Sequence, residues 1–277
     1  MMTKRDFVER SIGSALFFFK QSIFADETAS KPGLLQSLDP RMKSAAILLL
    51  ILLALFTRSI SVLGFLYFLC LVLALLSRIG LGFFLKRTWI FIPLFALMIA
   101  VPALFSFVSP GEPVRSLGIL CITRQGIRAA CFFVGRVITC VSLTVLLSMT
   151  TRHFELLKAL RSFGVPQMFV MVLGISYRYI YLFVETVENT YLAIKSRVGG
   201  GIRWRSGQNI VAWNIAHLWT RSCLLNEQVY NAMLSRGFRG EPVVLNRFQA
   251  KARDWWWLAG SVGLAILLAY AEYAAWL

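Results

Sequence analysis

The chain has 277 residues, 58% hydrophobic and 15% charged, with a mean hydropathy of +0.68. A soluble domain carries about 25% charged residues and a disordered chain is poor in apolar ones, so both classes are excluded. What remains is an integral membrane protein whose net charge of +16 belongs on cytoplasmic segments facing lipid and water, not on a nucleic-acid interface.

In chain order, residues 1–44 hold one short apolar cluster, Leu16 to Phe19, broken at Lys20. That is too short for a secretory leader. Asp6–Phe24 is predicted as an amphipathic helix on the inner membrane surface, with Phe7, Ile12, Leu16, Phe19 and Ile23 along one side.

A spanning helix needs about 20 mostly apolar residues, fewer where flanking side chains snorkel. Five segments meet that need. The first, Arg41–Thr57, is opened by Asp39-Pro40, an acceptor for free N–H groups followed by a residue suited to the first turn. The second runs from Ser59 to Ser77. The third, Trp89–Val108, is expected to kink at Pro93 and Pro102. The fourth, Arg128–Thr151, carries Arg136, which marks a substrate path or pairs with a carbonyl near the inner end of the bundle. The last, Trp255–Leu277, has Trp255, Trp256 and Trp257 at one end and Tyr270, Tyr273 and Trp276 at the other, an aromatic belt at each interface.

Met168–Val184 is a sixth apolar stretch, but it contains Arg178 and ends at Glu185. A central Arg costs roughly 2.5–3.5 kcal/mol on insertion scales. If this stretch spanned, the segment 185–254 would lie outside with Lys195, Arg197, Arg203, Arg205, Arg221 and further basic residues, against the positive-inside rule. The expected organisation is therefore an all-α integral membrane protein of about five spans. Residues 1–44 form an N-terminal interfacial segment, 45–151 a four-helix transmembrane bundle, 152–254 a cytoplasmic helical region, and 255–277 the last span. The N-terminus is inside and the C-terminus outside.

The cytoplasmic region reads as three helices. His153–Phe163 is stopped by Gly164-Val165-Pro166, Gln167–Arg197 by Gly199-Gly200-Gly201, and Gln208–Arg236 by Gly237. The two long ones finish alike, A-I-K-S-R-V at 193–198 and A-M-L-S-R-G at 232–237. An Arg in the last turn complements the helix dipole. Repeated on two protruding helix ends beside a small Ser, it also suits docking, since its planar fork binds carboxylates and carbonyls in a partner groove.

Catalytic and metal motifs are missing from the sequence. It has no G-x-x-x-x-G-K-[ST], no H-E-x-x-H and no G-x-S-x-G. Five cysteines form no C-x-x-C pair, and His153 and His217 stand far apart. Glu185 and Glu188 share a helix face and read as salt-bridge partners in preference to a catalytic pair.

Several stretches resemble the transmembrane T component of energy-coupling factor (ECF) transporters, in particular the cobalt-type CbiQ family. They are Phe24-Ala25-Asp26-Glu27, Lys31–Gln36 and Leu38-Asp39-Pro40-Arg41-Met42-Lys43, then Leu156–Pro166, Tyr177-Arg178-Tyr179-Ile180 with Glu185, and Asn226–Gly240. The resemblance covers about residues 24–254. It implies that the two helix ends are coupling tips, each placing its Arg in a groove of an ATPase subunit: Ser196, Arg197 and Val198 at the first, Ser235, Arg236 and Gly237 at the second. Val198 stands where the family pattern has Gly.

The resemblance further implies a non-catalytic subunit of an ABC-type transporter in the bacterial inner membrane. Two CbiO-like ATPase subunits would carry ATP and Mg, and a CbiM-like membrane subunit would hold the metal ion, cobalt or nickel. A small accessory membrane subunit fits the same assembly. No cofactor is expected on this chain. The rival readings are a vitamin-type T component and, from a different class, a self-sufficient carrier or membrane enzyme built around Arg136, Arg178, Glu185 and Glu188.

Overall fold

The computed structural model describes residues 33–89, 92–100, 113–117, 120–198, 204–240 and 251–274. The expected helix Asp6–Phe24, the span-three residues beyond Ala100 with Pro102, and Gly199, Gly200, Gly201 and Trp276 lie outside these.

The first helix, α1 (Pro40–Phe56), starts as its sequence requires. The Asp39 carboxylate accepts from the Arg41 N–H at 3.0 Å, and Pro40 occupies a position where no N–H is needed. Helix α2 (Ile60–Leu76) lies between Ser59 and Ser77, as expected. It closes in a Schellman motif, with the Ile79 N–H on the Ala74 carbonyl at 3.2 Å and Arg78 in the left-handed region at φ 54°.

Around the third span, helical structure begins earlier than the predicted Trp89, in α3 (Leu81–Trp89), and is described again in α4 (Ile92–Ala100). Segment α3 escapes a search for long apolar runs because it is amphipathic, burying Phe84 and Thr88 and exposing Lys86 and Arg87. Pro93 is the second residue of α4.

Helices dominate the described residues, in line with the all-α expectation, with one short hairpin added. Strands β1 (Pro113–Leu117) and β2 (Leu120–Thr123) form an antiparallel hairpin with Leu117 opposite Leu120. The segment is short, carries the β-branched Val114, Ile122 and Thr123, and leaves two residues for the connection, which favours a hairpin over a helix.

Helix α5 (Arg124–Thr150) is the fourth predicted span. After it come α6 (His153–Leu160) and a 3₁₀ turn (Arg161–Phe163), ended by Gly164 at φ 88° where Gly-Val-Pro predicted a stop. The two long helices are α7 (Gln167–Val198) and α8 (Trp204–Ser235), each of 32 residues, and α9 (Ala252–Ala274) completes the described chain. Helix α8 starts at Trp204 and not at the expected Gln208. Gly207, which marks a break by propensity alone, is buried within the helix, where packing overrides its intrinsic cost.

Among the described residues, three helices are long and apolar enough to cross a membrane: Gln125–Thr150, Gln167–Ile194 and Ala252–Glu272, with Ile60–Leu76 a shorter apolar helix. The second of them contains the stretch 168–184 that the charge argument assigns to the cytoplasmic region.

The chain divides into two compact units, one including Leu160–Arg247, the other Asp26–Ala159 with Phe248–Leu277. In the latter, α5 packs against α1, α2, α3 and α4, while α9 packs along α1. Helices α1 and α2 are apolar on nearly every side, so the buried face is picked out by spacing and size. Lys43, Ile47, Leu50 and Ala54 line α1, Leu66, Cys70, Leu73 and Ala74 line α2, and Leu143, Leu146 and Met149 line α5. Leu48, Phe56, Phe65 and Phe68 face outward, as helices in lipid do. Gly135 lets α5 approach α2 closely, since a Cβ there would meet the Leu63 side chain at 2.8 Å.

Candidate functional site

The two Ser-Arg helix ends are built differently. In α8, the Gly237 N–H bonds the Leu234 carbonyl at 2.9 Å and the Phe238 N–H bonds the Met233 carbonyl at 3.0 Å. This is a Schellman motif with Gly237 left-handed at φ 79°. The motif reverses the chain immediately after Arg236, leaving that side chain exposed at the end of the helix. Arg197 is exposed one residue before the end of α7. Val198 ends α7, and its side chain lies outside the described residues.

The two serines behave alike. Ser196 Oγ donates to the Ala193 carbonyl and Ser235 Oγ to the Asn231 carbonyl, each at 2.9 Å. Each hydroxyl is folded onto its own helix, and the neighbouring guanidinium is exposed.

Helices α7 and α8 enclose an open apolar groove of about 590 Å³, with Met171, Ile175, Tyr179 and Phe183 on one side and Trp219, Asn226, Tyr230 and Met233 on the other. Trp213 and Trp219 are 77% and 73% exposed. Exposed apolar surface on this scale marks contact with lipid or protein. On the same helices Arg178 and Glu185 are exposed, and the Tyr177 and Tyr181 rings meet edge-on at 5.1 Å.

Arg136 belongs to the other unit. Its Nη2 donates to the Thr57 carbonyl at the end of α1 at 2.9 Å, and its guanidinium lies 4.8 Å from the centre of the Phe132 ring. Thr57 Oγ1 donates to Glu272 Oε2 at 2.7 Å, and the Arg58 N–H donates to Glu272 Oε1. Arg136 therefore sits at the Thr57–Glu272 end of the bundle, not at the predicted inner end where α1 begins. An Arg reaching a terminal helix carbonyl is satisfied there by the negative end of the helix dipole.

The other end of this unit holds residues whose roles the sequence reading missed. Lys43, 1% exposed, donates through Nζ to the Leu35 carbonyl at 3.0 Å and the Thr150 carbonyl at 2.8 Å. Asp254, 2% exposed, accepts from the Lys251 N–H at 2.8 Å and the Asp39 N–H at 3.2 Å. Gln36 Nε2 reaches the Ser77 carbonyl at 3.1 Å. An acid three residues after Lys251, opening an apolar run, was the available signal, since it mirrors the return half of a capping box. Among the described residues no group of three His, Cys, Asp or Glu side chains could hold a metal ion.

Residues 33–246 match the family model described as cobalt transport protein, CbiQ. The uncharacterized protein MJ1571 of Methanocaldococcus jannaschii is 31% identical over 263 residues, covering 94% of this chain and 90% of the relative. The energy-coupling factor transporter transmembrane protein EcfT of Listeria innocua is 26% identical over 74% of this chain and 81% of its own length. The EcfT protein of Streptococcus thermophilus is 27% identical over 85% of this chain and 93% of its own. With a matched segment that takes in both Ser-Arg helix ends, the chain belongs to the CbiQ cobalt transport family, the membrane-embedded T components of ECF transporters.

Proposed function

We infer that this chain is the coupling subunit of an ATP-driven uptake transporter for a transition-metal ion, cobalt first and nickel second. It carries no catalytic step itself. The observation that carries this reading is the pair of 32-residue helices, each with an exposed Arg at its C-terminal end beside a Ser bonded back onto the same helix.

In the proposed mechanism, Arg197 and Arg236 enter grooves on two CbiO-like ATPase subunits, which bind ATP and Mg. Closure of that pair moves α7 and α8 as levers. A CbiM-like membrane subunit holding the metal ion rests on their apolar surface, with room for a small accessory membrane subunit. Residues 152–254 and the N-terminus face the cytoplasm from the plasma membrane. The basic residues Arg41, Arg78, Arg152, Lys251 and Arg253 support this, because all flank helix ends gathered at the Asp39 end of the bundle.

The test is uptake of radioactive cobalt and nickel in cells expressing the whole transporter. Arg197→Glu and Arg236→Glu should each lower uptake by about tenfold or more, as loss of a buried charged anchor does at interfaces, with membrane levels unchanged. Normal uptake by both variants would remove the tip assignment. Gentle purification of the tagged chain should bring down two ATPase copies and a small membrane protein. The metal found on that protein names the cargo, and a bound vitamin in its place would establish the vitamin-type reading.

A further inference from the structure

Two of the chain's three passages between its compact units, after Ala159 and before Phe248, are flanked in sequence by one buried polar clasp. Ahead of the first, Thr150 closes α5, and its carbonyl takes the Lys43 ammonium at 2.8 Å. Just after the second, Lys251 and Asp254 open α9, and the Asp254 carboxylate joins the Lys251 N–H to the Asp39 N–H. Arg253 adds Nη2 bonds to the Ser37 carbonyl at 2.9 Å and the Ser37 hydroxyl at 2.6 Å. The short stretch 35–43 thus holds the chain on both sides of the unit that bears the helix tips.

For stability alone Lys43 is a poor choice. Desolvating an ammonium is costly, its hydrogen bonds go to neutral carbonyls with Glu155 as the nearby opposite charge, and an aliphatic side chain would fill the same volume without that cost. A charged donor does supply short, directional bonds that fix two backbone segments at one point. Nothing comparable would result from apolar packing, which tolerates sliding and repacking.

We propose that Lys43 is a positioning residue for energy coupling. Its ammonium, backed by the Asp254 and Arg253 contacts, fixes the end of α5 and the start of α9 that flank the tip-bearing unit in sequence, so that displacement of the tips is delivered to the bundle and is not dissipated by local opening. This inference rests on the coupling function proposed above. It adds that transmission depends on the base of the bundle as well as on the tips.

The experiment uses the complete transporter in proteoliposomes, with cobalt uptake and ATP hydrolysis measured in the same vesicles. Two variants are compared with wild type: Lys43→Met, which keeps the side-chain length and removes the donor, and Arg253→Gln, which loosens the clasp at its exposed rim. Uptake per ATP hydrolysed should fall about tenfold in Lys43→Met and about twofold in Arg253→Gln, within the range that substitutions remote from a ligand produce on coupling. ATP hydrolysis and subunit stoichiometry should stay near wild type.

A purely structural Lys43 would lower the unfolding temperature and leave the uptake-to-ATP ratio unchanged, which overturns the proposal. If Lys43→Met does not assemble, Arg253→Gln decides in the same way. A wild-type chain that assembles with no ATPase overturns the underlying functional reading instead, and this inference with it.

Discussion

Asp254 Oδ1 accepts the backbone N–H of Asp39 at 3.2 Å across 215 residues of sequence. Asp39 in turn caps α1 through Arg41, and Asp254 Oδ2 takes the Lys251 N–H at 2.8 Å. Two aspartates therefore satisfy free backbone donors at the starts of two helices that run side by side. Both N-termini present partial positive charge, which favours a carboxylate at this site even though it is buried.

Asp254→Asn replaces one acceptor oxygen with an amide that faces a backbone N–H. The buried donor left without a partner should cost about 2 kcal/mol. Asp39→Ala removes only the cap to Arg41 and should cost about 1 kcal/mol. Thermal unfolding in detergent should therefore rank wild type above Asp39→Ala, and Asp39→Ala above Asp254→Asn. The reverse order for the two variants would contradict the double role of Asp254.

At the opposite end Thr57 links Arg136 to Glu272, giving its carbonyl to one and its hydroxyl to the other. Residues joined in one network do not act additively. Arg136→Met and Glu272→Gln, made singly and together, should show a coupling energy of about 0.5–1.5 kcal/mol in chemical denaturation. Thr57→Val should abolish that coupling if the hydroxyl carries it. Full additivity in the Thr57 background would mean that the two charges are independent.

Gly237 has φ 79°, a conformation that costs about 1–2 kcal/mol for a residue with a Cβ. Gly237→Val should unravel the last turn of α8 and misdirect Arg236, lowering uptake nearly as far as Arg236→Glu. The check is uptake at matched membrane levels, with Gly237→Asn as the milder replacement that tolerates this backbone region. Equal uptake by Gly237→Val and wild type would show that the direction of Arg236 is immaterial.

Arg78 occupies the corresponding left-handed position after α2 without being a glycine, at φ 54°. Its side chain is exposed. Arg78→Gly should relieve the backbone cost, offset in part by the greater freedom of the unfolded chain, for a net gain of about 0.5 kcal/mol. A raised unfolding midpoint is the expected result. A lowered one would assign Arg78 a contact through its side chain that outweighs the strain.

What could be read along the chain was what neighbouring residues decide among themselves. Asp39-Pro40 began a helix, Gly164 and Gly237 ended two, and apolar length identified segments able to lie in lipid. The repeated Ser-Arg endings were legible for the same reason, because a helix stop and the residue before it are local. Locality also explains the errors. Helix α8 begins at Trp204 and not at Gln208 because the packing of Gly207 overrides its propensity, and Arg136 lies at the Thr57 end of the bundle because its partner carbonyl is distant in sequence.

Tertiary structure alone decided which face of each uniformly apolar helix is buried, since such helices carry no periodic signal to choose it. It also decided the partners of the isolated polar residues. Lys43 finds the Thr150 carbonyl 107 residues away, and Thr57 finds Glu272 after 215. A charge placed in an apolar environment must find a partner, so the sequence determined that Lys43, Arg136 and Glu272 would each be held by something. Only the packing of α1 against α5 and α9 determined by what, because those carbonyls and N–H groups belong to every residue and are distinguished by position in space alone.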